Sequence, residues 1–475
     1  MATASASASS TAGQPGTCRP AAYSAPGCCR RSRPPWMRRR PCPGRGSASP
    51  GRGLIPLPCT PSSKKSGERS SALGRWSPMA SALMPTYRPA GTAFSSGAGA
   101  SLFDAEGREW IDLLSGLGVT VLGHSHPRWV AAVQEQAAHL VHTSNLYPQA
   151  PAEEVAERLC DLTGMDSVFF SNSGTEAVEC ALKLARKAAG QRRPQAPTHF
   201  LAIEGSFHGR SLGSLSVTSN PGYRIPFAPT LKAHFVERDS LRDLEQAFAQ
   251  GSPAALIVEP IQGEGGLHVL EGSFLRRARE LCDQTGTVLI SDEVQCGLGR
   301  SGPFLAYAEA GVLPDVVTLA KPLAGGLSVG ATLACADLSS TFQPGDHGST
   351  FGGGPLVMTA ARVVLDELTH GGLLEELTPK AEYLTAGLDD LVGRHDAATE
   401  RRGRHWMQGL VLPGQAVAAQ QGLADRGFLA GTAAGDVLRF LPPYVLTHEQ
   451  LERALAALDE TLTALPQPQA LPSIP

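Results

Sequence analysis

From Met84 onward, short apolar runs of strand length alternate with stretches of helical periodicity, and polar residues stand just past the end of several runs. This alternation argues for an α/β fold built on a largely parallel sheet. Apolar spacing predicts an amphipathic helix over 153–162 and a short buried strand over 167–170. A helix over 175–189 follows, opened by Asn172-Ser-Gly174, and then a strand over 199–203. Strands are predicted again at 255–258, 287–290 and 316–320, the last running into Lys321. In open α/β sheets ligands bind beyond the carboxyl ends of the strands, where these polar groups fall. From about 371 helical patterns resume, followed by a strand at 437–441 and a last helix near 447–464. At 475 residues the chain is too long for one compact core, so at least two domains are expected.

The first 83 residues do not share the pattern. They are rich in Ser, Ala, Pro, Gly and Arg without a sustained apolar period, so little burial is available to offset ordering entropy. Three readings stay open: a disordered tail, an Arg- and Ser-rich transit peptide, and a mis-assigned start with Met79 or Met84 as the true beginning. Charge divides at the same place. Residues 1–85 carry 13 Lys or Arg and one acid, Glu68, which leaves 28 basic and 43 acidic residues beyond them. So acidic a body disfavours nucleic acid as a partner. No apolar run approaches the ~20 residues that span a bilayer, so no membrane association is expected. Cys18, Cys28, Cys29, Cys42 and Cys59 lie in the leader; Cys160, Cys180, Cys282, Cys296 and Cys335 lie in the body. Neither set has the spacing of a zinc site or a disulfide framework, so no metal is expected. Reduced thiols suit the cytoplasm, with an organelle matrix as the alternative if the leader is a transit peptide.

Three segments suggest chemistry. A lysine at a strand end is usually a solvated surface residue. Lys321, however, precedes Pro322-Leu-Ala-Gly-Gly326, whose glycines let backbone approach a ligand. A lysine in apolar or cationic surroundings can lose its proton and attack an aldehyde cofactor. Ser291-Asp-Glu-Val-Gln295 closes another strand; Asp292 either caps the next segment or pairs with a pyridine nitrogen, and Gln295 could reach a phenolic oxygen on the same ring. Asn172-Ser-Gly-Thr-Glu176 opens a helix, either as a plain N-cap or as a phosphate site made by free N–H groups and the helix dipole.

Taken together, Asn172-Ser-Gly-Thr-Glu-Ala177, Phe207-His-Gly-Arg210, Val258-Glu-Pro-Ile-Gln-Gly-Glu-Gly-Gly266, Asp292-Glu-Val-Gln-Cys-Gly-Leu-Gly-Arg300, Leu319-Ala-Lys-Pro-Leu-Ala-Gly-Gly326 and His347-Gly-Ser-Thr-Phe-Gly-Gly353 resemble the class III aminotransferases. These are pyridoxal 5′-phosphate (PLP) enzymes of fold type I. The resemblance runs in order from about Met84 to about Leu465. It implies a large domain over 135–370 with a mainly parallel seven-stranded sheet flanked by helices. A smaller α+β domain would be built from 84–134 and 371–465, with a tail over 466–475. It further implies that Lys321 holds PLP and later moves a proton, and that Asp292 binds the ring nitrogen. Phe207 would stack on the ring, though core packing is an equal use for an aromatic there. Ser173, Gly174 and Thr175 would cradle the phosphate. Thr350 would reach that phosphate in the neighbouring subunit of a homodimer with shared active sites, and Ser349 beside it would contact substrate.

The segments His142-Thr-Ser-Asn-Leu-Tyr147 and Leu438-Arg-Phe-Leu-Pro-Pro443 point to the branch of the class that transaminates N-acetylornithine with 2-oxoglutarate, a step of arginine biosynthesis. Two unlike amino donors must then be used in turn. The resemblance gives Arg210 the carboxylate distant from the reacting amine, in bidentate geometry. Arg439 would take the α-carboxylate of glutamate, and in the other half-reaction Glu264 would pair with it, since an unpaired buried arginine is costly. A plain structural ion pair is the alternative for Glu264. Alternatives for the whole chain are a transaminase of the aminoadipate route to lysine, an ornithine or other ω-amino acid aminotransferase, and a glutamate-1-semialdehyde aminomutase, which needs no second dicarboxylate. Three positions depart from the family pattern: Gly354 replaces the usual Asn before Pro355, Ser328 stands where Pro is usual, and Leu117 falls where ornithine aminotransferases place a tyrosine. An apolar Leu117 would suit a blocked amide better than a free ammonium.

Overall fold

Phe200, Leu201, Ala202 and Ile203 are all buried, as a strand without polar alternation must be when both faces of its sheet are covered. A computed structural model of the chain describes residues 83–89, 91–193 and 198–466. The leader expected over 1–83, apart from Leu83, and the tail beyond 466 lie outside the described residues. On one face Phe200, Ala202, Ile257, Val288 and Ile290 pack against Val178, Ala181, Leu182 and Ala185 of the Gly174–Arg192 helix. On the other, Leu201, Ile203, Leu256, Val258 and Leu289 meet Leu244 and Phe248 of the Leu241–Ala249 helix and Phe274, Leu275 and Ala278 of the Gly272–Thr285 helix. The period of two in the strands thus feeds two separate cores.

The sheet has the expected seven strands, in the order Ser167–Ser171, Gly330–Ala334, Val316–Leu319, Val288–Asp292, Ala255–Val258, Phe200–Ile203, Ala233–Val236. Only Gly330–Ala334 runs against its neighbours. The other six are parallel, so their carboxyl ends meet at one edge. Two strands escaped the sequence reading. Gly330-Ala-Thr-Leu-Ala334 lacks the β-branched and aromatic density that marks a strand, and Ala233–Val236 is only four residues long. A third difference bears on the site. The strand predicted over 287–290 runs on through Asp292, because parallel pairing continues to Asp292 opposite Thr318. Asp292 is therefore fixed in the sheet itself.

Three smaller sheets complete the fold. Phe94–Ala98, Ser101–Asp104 and Glu109–Asp112 form a meander to which Phe428–Leu429 adds in parallel, so early and late segments share a sheet. Glu400–Arg404, Met407–Val411, Val437–Phe440 and Gly431–Ala433 form an antiparallel sheet that carries Arg439. Ile261–Gln262 pairs with His268–Val269 and shapes the turn bearing Glu264. Among the described residues no helix is long and apolar enough to cross a membrane.

Candidate active site

The shared edge of the sheet brings distant residues together. Ser173, Phe207, Glu259 and Lys321 follow the strands ending at Ser171, Ile203, Val258 and Leu319, and Asp292 ends its own strand. They line one cavity of about 410 Å³ with Gly174, Thr175, Arg210, Glu264 and Gln295. Nine of the residues singled out in the sequence thus share a single space. Arg439 reaches its rim through Glu264.

The Gly174–Arg192 helix points its N-terminus into this space. Ser173 caps it by accepting from the Glu176 N–H at 3.3 Å. The first N–H groups of a helix have no acceptor within it, so this end suits an anion. Gly174 is required by close approach, since a Cβ there would fall 2.8 Å from Val294 Cγ1. The Thr175 hydroxyl is turned into a ring of hydroxyls with Ser211 and Ser214, at 2.7 and 2.6 Å. Gly209, at φ +127°, permits this contact; its Cβ would lie 2.3 Å from Thr175 Oγ1.

Asp292 is 4% exposed. One carboxylate oxygen accepts from Thr318 Oγ1 at 3.0 Å and from the Val294 N–H at 3.1 Å; the other accepts from His208 Nδ1 at 2.7 Å. A buried carboxylate needs such partners. His208 escaped the sequence reading although it sits in the Phe207-His-Gly-Arg210 segment; its own Nε2 is buried without a partner among the described residues. Glu259 was also missed. It accepts from the Phe207 N–H at 2.8 Å and the Gly263 N–H at 3.3 Å, so one carboxylate fixes both the aromatic residue and the turn before Glu264. Burial pushes its pKa up to about 7.

Lys321 opens the short 3₁₀ turn Lys321–Ala324. Loss of hydration on burial lowers its pKa, and the charge of Arg439 adds to this; Glu264, Glu259 and Asp292 oppose it. The shift is in the direction that favours the neutral amine, the form of lysine that attacks a carbonyl. Arg439 is 2% exposed, and its Nη1 donates to Glu264 Oε1 at 2.6 Å and to Gln295 Oε1 at 3.4 Å. Burial works to raise the Glu264 pKa, but the charge and hydrogen bond of Arg439 outweigh it and the pKa is lowered. Arg210 is exposed, with its guanidinium against Phe207 and Tyr223.

Ser349 and Leu117 lie outside this cavity, as does Thr350, which was expected to act in the neighbouring subunit. Ser349 and Thr350 line a separate recess with Asn172, Glu176 and His347. Ser349 Oγ accepts from Asn172 Nδ2 at 3.1 Å, while Thr350 is exposed. Leu117 is exposed and outside the cavity; Val119, two residues on, lines it instead. The cause is a left-handed run through Ser115, Gly116, Leu117 and Gly118, with φ from +47° to +80°. Asp112 holds that run by accepting the Leu114 and Ser115 N–H groups at 2.8 and 2.7 Å.

Residues 84–462 match the family model for class-III aminotransferases. The chain belongs to the class III aminotransferases. It is 43% identical over 388 residues to the mitochondrial acetylornithine aminotransferase of Alnus glutinosa, covering 81% of this chain and 86% of that one. It is 44% identical over 386 residues to the acetylornithine aminotransferase of Methanopyrus kandleri, covering 80% and 97%. Among solved structures it is similar to the ornithine aminotransferase of Toxoplasma gondii, with TM-score 0.77 and 31% identity over 81% of this chain and 93% of that one. Class III aminotransferases depend on PLP, and the residues of this aminotransferase fit the cofactor. A helix N-terminus opening on the cavity suits its phosphate, a buried carboxylate its ring nitrogen, an aromatic side chain its ring face, and an amine of lowered pKa its aldehyde.

Proposed function

We propose that this aminotransferase moves the terminal amino group of N-acetylornithine to 2-oxoglutarate, giving N-acetylglutamate 5-semialdehyde and glutamate. The observation that carries the reading is the pairing of Arg439 with Glu264 at 2.6 Å, while Arg210 on the same cavity makes no hydrogen bond or ion pair among the described residues. One carboxylate-binding arginine is masked and the other is free, as two donors of different geometry require. Arg210 receives the carboxylate distant from the reacting amine; Arg439 receives the α-carboxylate of glutamate when Glu264 turns aside. Ser173, Gly174 and the Thr175 backbone hold the phosphate, Phe207 the ring face, Asp292 the ring nitrogen and Gln295 the phenolic oxygen. Bound PLP supplies an electron sink for the developing carbanion and a carbonyl that accepts the amino group. Lys321 Nζ takes the proton from the substrate carbon bearing that amine. Identity of 43–44% over four fifths of the chain to acetylornithine aminotransferases favours the acetylated donor.

We further read 84–134 with 371–465 as a small domain and 135–370 as the large one, supported by the pairing of Phe428–Leu429 with Glu109–Asp112. A homodimer is supported by the exposed Thr350 recess beside apolar side chains. The five described cysteines are free, which suits the cytoplasm. The test is an absorption spectrum of the holoenzyme before and after N-acetyl-L-ornithine alone. The yellow colour is expected to bleach without any 2-oxoglutarate, and Lys321→Ala should bind PLP without forming an imine and should not turn over. Bleaching by ornithine but not by its acetylated form would transfer the assignment to ornithine.

A further inference from the structure

Arg210 poses a mechanical problem. A long exposed cation loses rotamer freedom when it grips a ligand, and no hydrogen bond or ion pair among the described residues fixes it beforehand. What does meet it is an aromatic face. Arg210 Cζ lies 3.6 Å from the ring centroid of Tyr223 and 5.7 Å from that of Phe207. The Tyr223 and Phe207 rings meet edge to face, with centroids 6.4 Å apart at 88°. Stacking engages the π face of the guanidinium and leaves its in-plane N–H groups for a carboxylate.

The platform is itself anchored. Tyr223 sits in the Pro221–Arg224 turn, where Asn220 Oδ1 accepts the Gly222 N–H at 2.8 Å. The approach to the turn is tied to the loop that carries Phe207: Ser219 Oγ accepts the Gly205 N–H at 3.0 Å, and the Ser219 N–H donates to the Ser206 carbonyl at 2.9 Å. Beyond Tyr223, Arg224 lies 4.4 Å over the Phe235 ring in the sheet's edge strand. Tyr223 also lines a cleft of about 610 Å³ that shares Phe207 and Glu264 with the active-site cavity.

The geometry points to Tyr223 as a positioning residue for substrate selection: its ring presets the Arg210 guanidinium toward the carboxylate distant from the reacting amine. This rests on the reading of Arg210 as the carboxylate-binding group. The phenol hydroxyl has no part in it, so the ring alone matters.

The experiment compares Tyr223→Leu, Tyr223→Met, Tyr223→Phe and Arg210→Leu as holoenzymes, with N-acetyl-L-ornithine and with n-butylamine, a terminal amine without a carboxylate. In the Leu and Met variants KM for N-acetyl-L-ornithine should rise about two- to fivefold with kcat little changed, the range expected for one exposed cation–π contact. Tyr223→Phe should restore it, and kcat/KM for n-butylamine should not move. If Arg210→Leu raises that KM but Tyr223→Leu and Tyr223→Met do not, the platform is not needed and the inference is overturned. Equal losses with n-butylamine would also overturn it, as the mark of a general structural role. If Arg210→Leu itself leaves KM unchanged, the carboxylate reading fails, and the inference with it, on separate evidence.

Discussion

At the residue scale, the site sets a half-buried lysine against a buried arginine. Lys321 and Arg439 share a neighbourhood in which Glu264, Glu259 and Asp292 favour the charged form of the lysine. Glu264 is tied to both, since it pairs with Arg439 and its charge favours the protonated form of Lys321. Removing it has a predictable sign. In Glu264→Ala, Arg439 no longer has a competing carboxylate, so KM for glutamate should fall, by about tenfold for one charge-assisted hydrogen bond. The preference for the terminal-amine donor over glutamate should shrink accordingly. Steady-state kinetics of both half-reactions would decide it, and an unchanged KM for glutamate would make the pair purely structural. Lys321 and Asp292 were legible in the sequence as polar groups at strand ends, and Glu264 and Arg439 through the ordered segments that carry the family resemblance. His208 and Glu259 lay in the same segments but gave no separate signal, since their value depends on which backbone and side-chain groups the fold brings within 3 Å.

At the element scale, the end of the Val288–Asp292 strand carries a second buried carboxylate. Glu293 accepts the Ala306 and Tyr307 N–H groups, each at 2.8 Å, and so caps the 3₁₀ turn Ala306–Ala310. Burial nonetheless pushes its pKa up to about 7, from an ordinary 4.5. The folded state therefore holds this proton more tightly than the unfolded chain. Its contribution to stability is complete below about 4.5 and is lost as pH rises through about 7. Burial holds His268 and His405 down to about 4, which has the opposite sign over part of the window and masks the effect in the whole protein. The measurement is thus a difference. Urea stability of wild type minus Glu293→Gln should decline between pH 5 and 8 by on the order of 1–3 kcal/mol. A constant difference would show that Glu293 is ionised throughout. No periodicity argument could have found this group, because Asp292 and Glu293 read alike in sequence and only pairing register gives each its surroundings.

At the scale of the whole molecule, apolar side chains remain uncovered beside the Thr350 recess. Leu146 is 86% exposed, Tyr147 66% and Phe351 64%, and Asn145 ties this segment to Ser349 with a 2.9 Å hydrogen bond. A contiguous surface of this kind is what a self-complementary interface covers. Light scattering should give about twice the 49.7 kDa chain mass, and Phe351→Asp should lower that mass and the bound cofactor together. A fully active monomer would end the dimer reading. The sequence by itself determined the α/β class and placed Lys321 and Asp292 at strand ends, because apolar runs and polar strand ends are local signals, whereas Arg210 and Arg439 stood out only through the family resemblance. Only the tertiary structure decided that Asp292 lies within its strand beside His208, that Leu117 turns away while Val119 faces the cavity, and that Tyr223 stands under Arg210. Those outcomes depend on contacts between segments far apart in the chain, and such contacts leave no periodic trace in the order of residues.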